Sequence, residues 1–437
     1  MLLSKNSILA NLKEVLGHGG FRKYLKSTGW MLFGKTSTMA ISLIATFYIA
    51  RNLGPANYGE LSYALGVISL IGFIAPLGLD GILYRELIRH PEKKHILLGT
   101  TFLLRFFSGL LVCVATISFA LFFNFDDVSK VLILVLSGTF LFNSFHIVNY
   151  EFLSRSQAHY QAIILTISSI ILNILKILVI FYGQGVIYLA CVLLFESILL
   201  AGLYTSTYLW KSNDKLSDWS WNLQCAKEML RDSFPIIFVT GFTLIYAKID
   251  IVFIKKILGA EQVGLYDAAV RLVDVWNFIP AVLGTALFPA IVNAEKHSYD
   301  LFIKRTLYAT LLFFLAPLCI STLVWFFSKE IILLLYGDQF FESVAVLKIY
   351  IWSLIGTSLG IHVQAYLTLK NYRVLLILSS LIPMIVNISL NLLWIPSYGI
   401  IGAAYATVIS YSLIPLFLVF KYKSFLHKSN NDPHEKH

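Results

Sequence analysis

Long apolar segments follow one another almost from end to end of this chain, and they constrain its fold more than any motif does. A bilayer core is crossed by about 20 apolar residues in a helix. Twelve such segments are readable, at roughly 30–50, 58–79, 96–123, 129–150, 160–181, 186–210, 232–254, 263–291, 306–327, 343–367, 374–395 and 400–420. Two of them, 96–123 and 263–291, are long enough to tilt, kink or run past the bilayer. Mean hydropathy is +0.76, and 58% of residues are hydrophobic against 13% charged, a balance that excludes a soluble globular domain. The expected fold class is therefore an all-α integral membrane protein.

The cationic residues between the segments set an orientation. Of the 34 Lys and Arg, six lie within segments (Lys35, Arg105, Lys176, Lys248, Arg271 and Lys348). Five lie on one side (Arg51, Lys130, Lys255, Lys256 and Lys329), and the remaining 23 lie on the side shared by both termini. Twelve spans with both ends cytoplasmic fit that asymmetry. The net charge of +10 is then mostly a rim attracted to anionic lipid head groups, and no nucleic-acid partner is needed to explain it.

Four scattered cysteines, Cys113, Cys191, Cys225 and Cys319, suggest neither a disulfide frame nor a metal site. The first 29 residues carry charges and a Gly-His-Gly-Gly stretch, so 30–50 reads as a retained first span. No Gly-x-x-x-x-Gly-Lys-Ser/Thr phosphate loop and no large loop are present, so neither ATP hydrolysis nor another enzymatic activity is expected, and no cofactor is implied.

The longest polar break, 211–231, divides the chain into a 1–29 N-terminal segment with a 30–210 lobe, and a 232–420 lobe with a 421–437 tail. The two lobes echo each other. At a constant offset of 205, Ile49/Ile254, Arg51/Lys256, Leu53/Leu258, Gly54/Gly259, Gly59/Gly264 and Ala64/Ala269 pair up. A second echo at offset 214 pairs Asn173 with Asn387 and Gly185 with Gly399. With six spans per lobe both copies insert the same way up. The expected architecture is two six-helix lobes related by a pseudo-twofold along the membrane normal, with substrate between them.

A charge at mid-bilayer costs about 2.5–3.5 kcal/mol on insertion scales, so buried ions should face water, partners or ligand. Lys35, Thr38, Ser42 and Thr46 form one polar stripe, and Thr166, Ser169, Asn173 and Lys176 form another. Asp267, Arg271, Asp274 and Asn277 share a face, where Arg271 either is neutralised by the two acids or exchanges partners when a phosphate arrives. Lys248 and Asp250, two apart, point to different sides. Arg105 is placed to snorkel toward the cytoplasmic interface or to meet a ligand. Glu60, Asp250, Asp267 and Lys348 fall near the outer rim and read as interfacial charges. His146 and His362 have no ligand-spaced neighbours and read as packing residues. Prolines 76, 235, 280, 289, 317, 383 and 415 fall within the expected spans and suit helices that bend.

The run Ala50-Arg51-Asn52-Leu53-Gly54-Pro55-Ala56-Asn57-Tyr58-Gly59, followed by Leu77-Gly78-Leu79-Asp80-Gly81 and Tyr84-Arg85-Glu86, resembles the opening signature of Wzx-type flippases. These belong to the multidrug/oligosaccharidyl-lipid/polysaccharide exporter superfamily. Leu258 to Tyr266 looks like a weaker second copy. The resemblance implies a MATE-like fold and transport of an undecaprenyl-diphosphate-linked oligosaccharide across the bacterial inner membrane, for O-antigen or capsule. It also implies a cationic central cavity, for which Lys35, Lys176, Lys248, Arg271 and Arg105 are the substrate-binding candidates. Asp274, Asp267 and Glu196 are candidates for coupling or gating. Besides the lipid-linked substrate and membrane lipids, a polysaccharide polymerase is the candidate partner. The alternative is a cation-coupled multidrug antiporter of the same fold, which would place carboxylates rather than lysine in its pocket.

Overall fold

The computed structural model describes residues 19–123, 125–211 and 214–417. Residues 1–18 of the expected N-terminal segment and the whole 421–437 tail lie outside the described residues. The Lys35 backbone is in a helix, but its side chain also lies outside the described residues. Among the described residues the structure is helical, with no strand. The α-helices are α1 (Gly19–Gly72), α2 (Asp80–Arg89), α3 (Lys94–Phe122), α4 (Asp127–Ser137), α5 (Thr139–Phe142), α6 (Ile147–Ser154), α7 (Ala158–Phe181), α8 (Val186–Lys211), α9 (Leu223–Leu258), α10 (Ala260–Trp276), α11 (Phe278–His297), α12 (Tyr299–Phe326), α13 (Ser328–Leu335), α14 (Ser343–Tyr350), α15 (Ser353–Leu369) and α16 (Arg373–Leu413). Nine helical segments among the described residues are long and apolar enough to cross a membrane.

Several expected boundaries move, for backbone reasons. Gly54 (φ 73°, ψ 167°) breaks α1, and Gly259 (φ 93°, ψ 178°) separates α9 from α10. These two glycines are partners in the 205 offset, and both occupy a region closed to residues with a Cβ. The last two expected spans are joined in α16 and part at Gly399 (φ 61°, ψ −145°). The long segment expected at 263–291 divides at Asn277 into α10 and α11. Four of the seven noted prolines, 235, 289, 317 and 383, lie inside helices. Pro76 instead sits in the turn that carries Leu77 (φ 53°) and Gly78 (φ 61°). Pro415 follows the end of α16, and Pro280 falls in the first turn of α11, where a missing N–H costs little.

The chain forms two compact units: the first takes in Met1–Thr46, Ile74–Asn124 and Leu134–Phe234, the second Phe47–Phe73, Phe125–Ile133 and Pro235–His437. The core of the first gathers Leu83, Leu98, Ile147, Phe152 and Tyr208. Its 214–222 segment is strapped along α3 rather than left as a tether. Ser220 N–H donates to the His95 carbonyl at 3.2 Å, Asn222 N–H donates to Thr100 Oγ1 at 3.1 Å, and Trp219 Nε1 donates to Tyr208 OH at 3.2 Å. A Cβ on Gly99 would stand 2.6 Å from the Ser220 backbone, so only glycine admits the strap. The core of the second unit gathers Tyr246, Phe302, Phe313, Val363 and Tyr411. In both units large apolar side chains such as Phe107, Leu111, Leu334 and Leu393 stay exposed, as helices solvated by lipid require.

Candidate functional site

Three intramembrane cations, Lys176, Arg105 and Lys248, take partners from other helices, and local spacing reveals none of those partners. In the first unit Lys176 Nζ on α7 lies 3.2 Å from Glu196 Oε2 on α8. One turn away, Asn173 Nδ2 donates to the Ser169 carbonyl at 2.7 Å and to Ser42 Oγ at 3.4 Å. The polar stripes read separately on α1 and α7 therefore meet.

Arg105 does not snorkel. It is only 5% exposed, and its guanidinium pairs with Asp80, the first residue of α2. The pair borders a cavity of about 240 Å³ shared with Asn143, Ser144, His146 and Tyr150. In the sequence Asp80 stands out only as part of a motif, and nothing in a separation of 25 residues announces it as the partner.

The second unit brings together Lys248, Asp267, Arg271 and Asp274. Lys248 on α9 pairs with Asp274 on α10 at 3.7 Å rather than with Asp250. Arg271 Nε donates to Asp267 Oδ2 at 3.0 Å, the i−4 neutralisation expected on one helix face. Asp267 is not an interfacial charge: it is buried, and the same oxygen accepts from Ser62 Oγ at 2.7 Å and Tyr58 OH at 3.1 Å. Ser62 and Asp267 are 205 residues apart, so the repeat offset held the signal that could have found this contact.

Asp250 is also buried, and Glu60 is partly buried. Asp250 accepts from Tyr266 OH and from the Ile251 N–H at 2.8 Å. Tyr266 continues, through Thr407 at 3.5 Å, to the Asn387–Asn391 amide pair at 2.9 Å. Glu60 pairs with Lys255 and accepts from Ser129 Oγ at 2.6 Å, while Lys255 also reaches Asp126 at 3.4 Å. Lys348 stays exposed, 5.9 Å from the Trp325 ring centre. His362 packs flat on Phe313 and hydrogen-bonds with Thr310 Oγ1 at 3.0 Å, the packing role expected of it.

Toward the ends of its helices the first unit carries two further charged sites. Arg85 reaches Asp232 at 2.8 Å on the wall of a cavity of about 400 Å³, and that hydrogen bond raises the guanidinium pKa. Lys94 pairs with Asp214, and its hydrogen bond holds the Asp214 carboxyl below its ordinary range. His95, Asp214 and Asp218 each present one ligand atom within 4.8 Å of the others, with Lys94 already on Asp214.

Helices of spanning length that carry ion pairs in their interiors mark a polytopic membrane protein, and the fold is that of the MATE-type transporters. An inward-facing multidrug resistance MATE family transporter superposes with a TM-score of 0.74 at 14% identity, over 91% of this chain and 99% of that one. Lipid II flippase MurJ in an inward closed conformation gives 0.70 at 17% identity, over 91% and 87%. The chain belongs to the polysaccharide biosynthesis protein family, which matches residues 24–295. A putative O-antigen transporter of Shigella flexneri is 22% identical over 419 residues, 91% of this chain and 97% of the relative.

Proposed function

We propose that the protein is a flippase carrying an undecaprenyl-diphosphate-linked oligosaccharide across the bacterial inner membrane for surface polysaccharide. It works by alternating access through a cationic central cavity between two six-helix lobes, twelve spans in all, with both termini cytoplasmic. A polysaccharide polymerase is its candidate partner. The family match over residues 24–295 carries this reading. An anionic sugar-diphosphate head cannot enter hydrocarbon unaided, and Lys or Arg side chains offer it charge-assisted hydrogen bonds. Lys176, Lys248 and Arg271, with Lys35, supply that role. Glu196 and Asp274 keep two of these cations neutralised until a phosphate displaces them. Arg105, already buried against Asp80, has a smaller part. A multidrug antiporter for cationic drugs is disfavoured because the carboxylates it would use are engaged by lysines.

The test is complementation of a deletion strain. Surface polymer should be restored by the parent and fall at least tenfold with Lys248→Ala or Arg271→Ala at equal membrane level. Full restoration by both variants overturns the cavity assignment; drug sensitivity without any glycan defect in the deletion strain favours the antiporter.

A further inference from the structure

Within the second unit the two copies of the repeated motif lie against each other in a reciprocal way. A Cβ on Gly59 would overlap the carbonyl oxygen of Ala260, and a Cβ on Gly264 would overlap that of Pro55. Gly59 and Gly264 are partners at offset 205, and so are Pro55 and Ala260. The contact is thus a self-complementary seam, each copy giving the same glycine and accepting it on the same carbonyl. One turn further along, equivalence fails chemically: Ser62 stands where the other copy has Asp267. Ser62 donates to that carboxylate at 2.7 Å, and Tyr58, four residues before it on the same face, donates to the same oxygen at 3.1 Å.

The third donor to that oxygen is Arg271. The Asp267 side chain is 3% exposed while that of Arg271 is 37% exposed. One buried carboxylate therefore ties the seam on one side and holds a ligand-accessible guanidinium on the other.

We infer that Asp267 is a positioning residue that links occupancy of Arg271 to the seam: an anionic diphosphate bound at Arg271 releases it. This rests on the flippase reading above and on the orientation that puts residues 51–59 and 255–264 outside. The hydrogen bonds from Tyr58 and Ser62 are strong because their acceptor is ionised, and the acceptor tolerates burial because Arg271 neutralises it. A phosphate oxygen that takes the Arg271 N–H groups withdraws that neutralisation and brings a second negative charge close to the first. The buried carboxylate is then stabilised by water reaching it, and water reaches it only when the seam parts. The head group thereby opens its own exit, and the empty carrier keeps the seam shut.

The experiment uses the full-length protein in nanodiscs, with Cys113, Cys191, Cys225 and Cys319 changed to Ser and Ala64→Cys added. Ala64 is fully buried on the seam helix. Labelling by a polar maleimide reports opening, and inorganic pyrophosphate is the probe, with sodium sulfate at equal ionic strength as control. The parent should label slowly, and pyrophosphate but not sulfate should accelerate it several-fold. Asp267→Asn should label about tenfold faster without pyrophosphate, the shift expected on losing hydrogen bonds to a charged group, and should not respond further. Ser62→Ala and Tyr58→Phe, which only remove a donor, should fall between the two. Arg271→Gln should abolish the pyrophosphate response. Slow labelling of Asp267→Asn, or a pyrophosphate response that survives Arg271→Gln, overturns the inference. Glycan export in the deletion strain separates the two claims: a glycan defect with an unresponsive seam sinks the latch alone, and a responsive seam without a glycan defect sinks the flippase reading.

Discussion

The two compact units hold ions inside apolar helices by different means. In the first, Lys176 and Arg105 each meet one carboxylate, a simple exchange of charge. In the second, carboxylates act as hubs: Asp267 collects Ser62, Tyr58 and Arg271, and Asp250 collects Tyr266 and a backbone N–H. A simple pair frees its cation whenever a better anion arrives. A hub passes that loss on to every other donor it holds. The second unit holds both kinds, since Lys248 and Asp274 form a simple pair beside the two hubs.

The largest expected effect breaks the second unit at its seam. Gly264→Leu places a side chain on the Pro55 carbonyl, where backbone must move, and should leave no folded protein by size-exclusion chromatography. Gly185→Ala in the first unit, with open space around it, should change the thermal midpoint negligibly. If both are tolerated alike, the seam is not a close contact.

Next in size is the Arg105–Asp80 pair. Asp80→Asn leaves the buried guanidinium beside a neutral amide, and because Asp80 is itself half exposed the cost should be about 1–3 kcal/mol, below that of a fully buried pair. Replacing the pair with Asp80→Asn and Arg105→Met should recover most of that, measured by thermal unfolding in detergent. Failure of the double variant to recover would mean Arg105 does more than balance Asp80.

A smaller effect tests the Lys176–Glu196 pair of the first unit. Lys176→Gln with Glu196→Gln removes both charges, so stability should change by less than about 1 kcal/mol, while polymer export stays reduced. Normal export would remove Lys176 from the substrate path.

The smallest effect is electrostatic. The carboxyl of Asp214 is held low by Lys94, so its contribution is present above the ordinary carboxylate range near pH 4 and is lost as pH falls through its depressed folded value. Hydrogen-exchange protection at 214–222, with the intrinsic pH dependence of amide exchange divided out, should fall on acidification below about pH 4, and should be low at every pH in Asp214→Asn. The gain is at most about 1 kcal/mol.

Much of this architecture is legible in the sequence. The offset of 205 marks Gly54 and Gly259, and both share one backbone conformation that only glycine adopts. Helical spacing offers Arg271 both Asp267 and Asp274, and the structure pairs it with Asp267 while Asp274 goes to Lys248. Asp80 as the partner of Arg105, Asp274 as the partner of Lys248, and the burial of Asp250 are not legible there. The expectation that every noted proline bends a helix also overreaches, since Pro76 lies in a turn and Pro415 follows the end of α16.

What the amino-acid sequence determined by itself was the membrane class, the helical make-up and the internal repeat. Each of these is dictated locally, by the cost of an apolar residue in water or a bare peptide group in lipid and by the constraint a missing Cβ lifts. Tertiary structure alone decided which charge meets which, because a carboxylate's partner depends on which helices face each other. Ser62 and Asp267 stand 205 residues apart, and only the fold puts 2.7 Å between them.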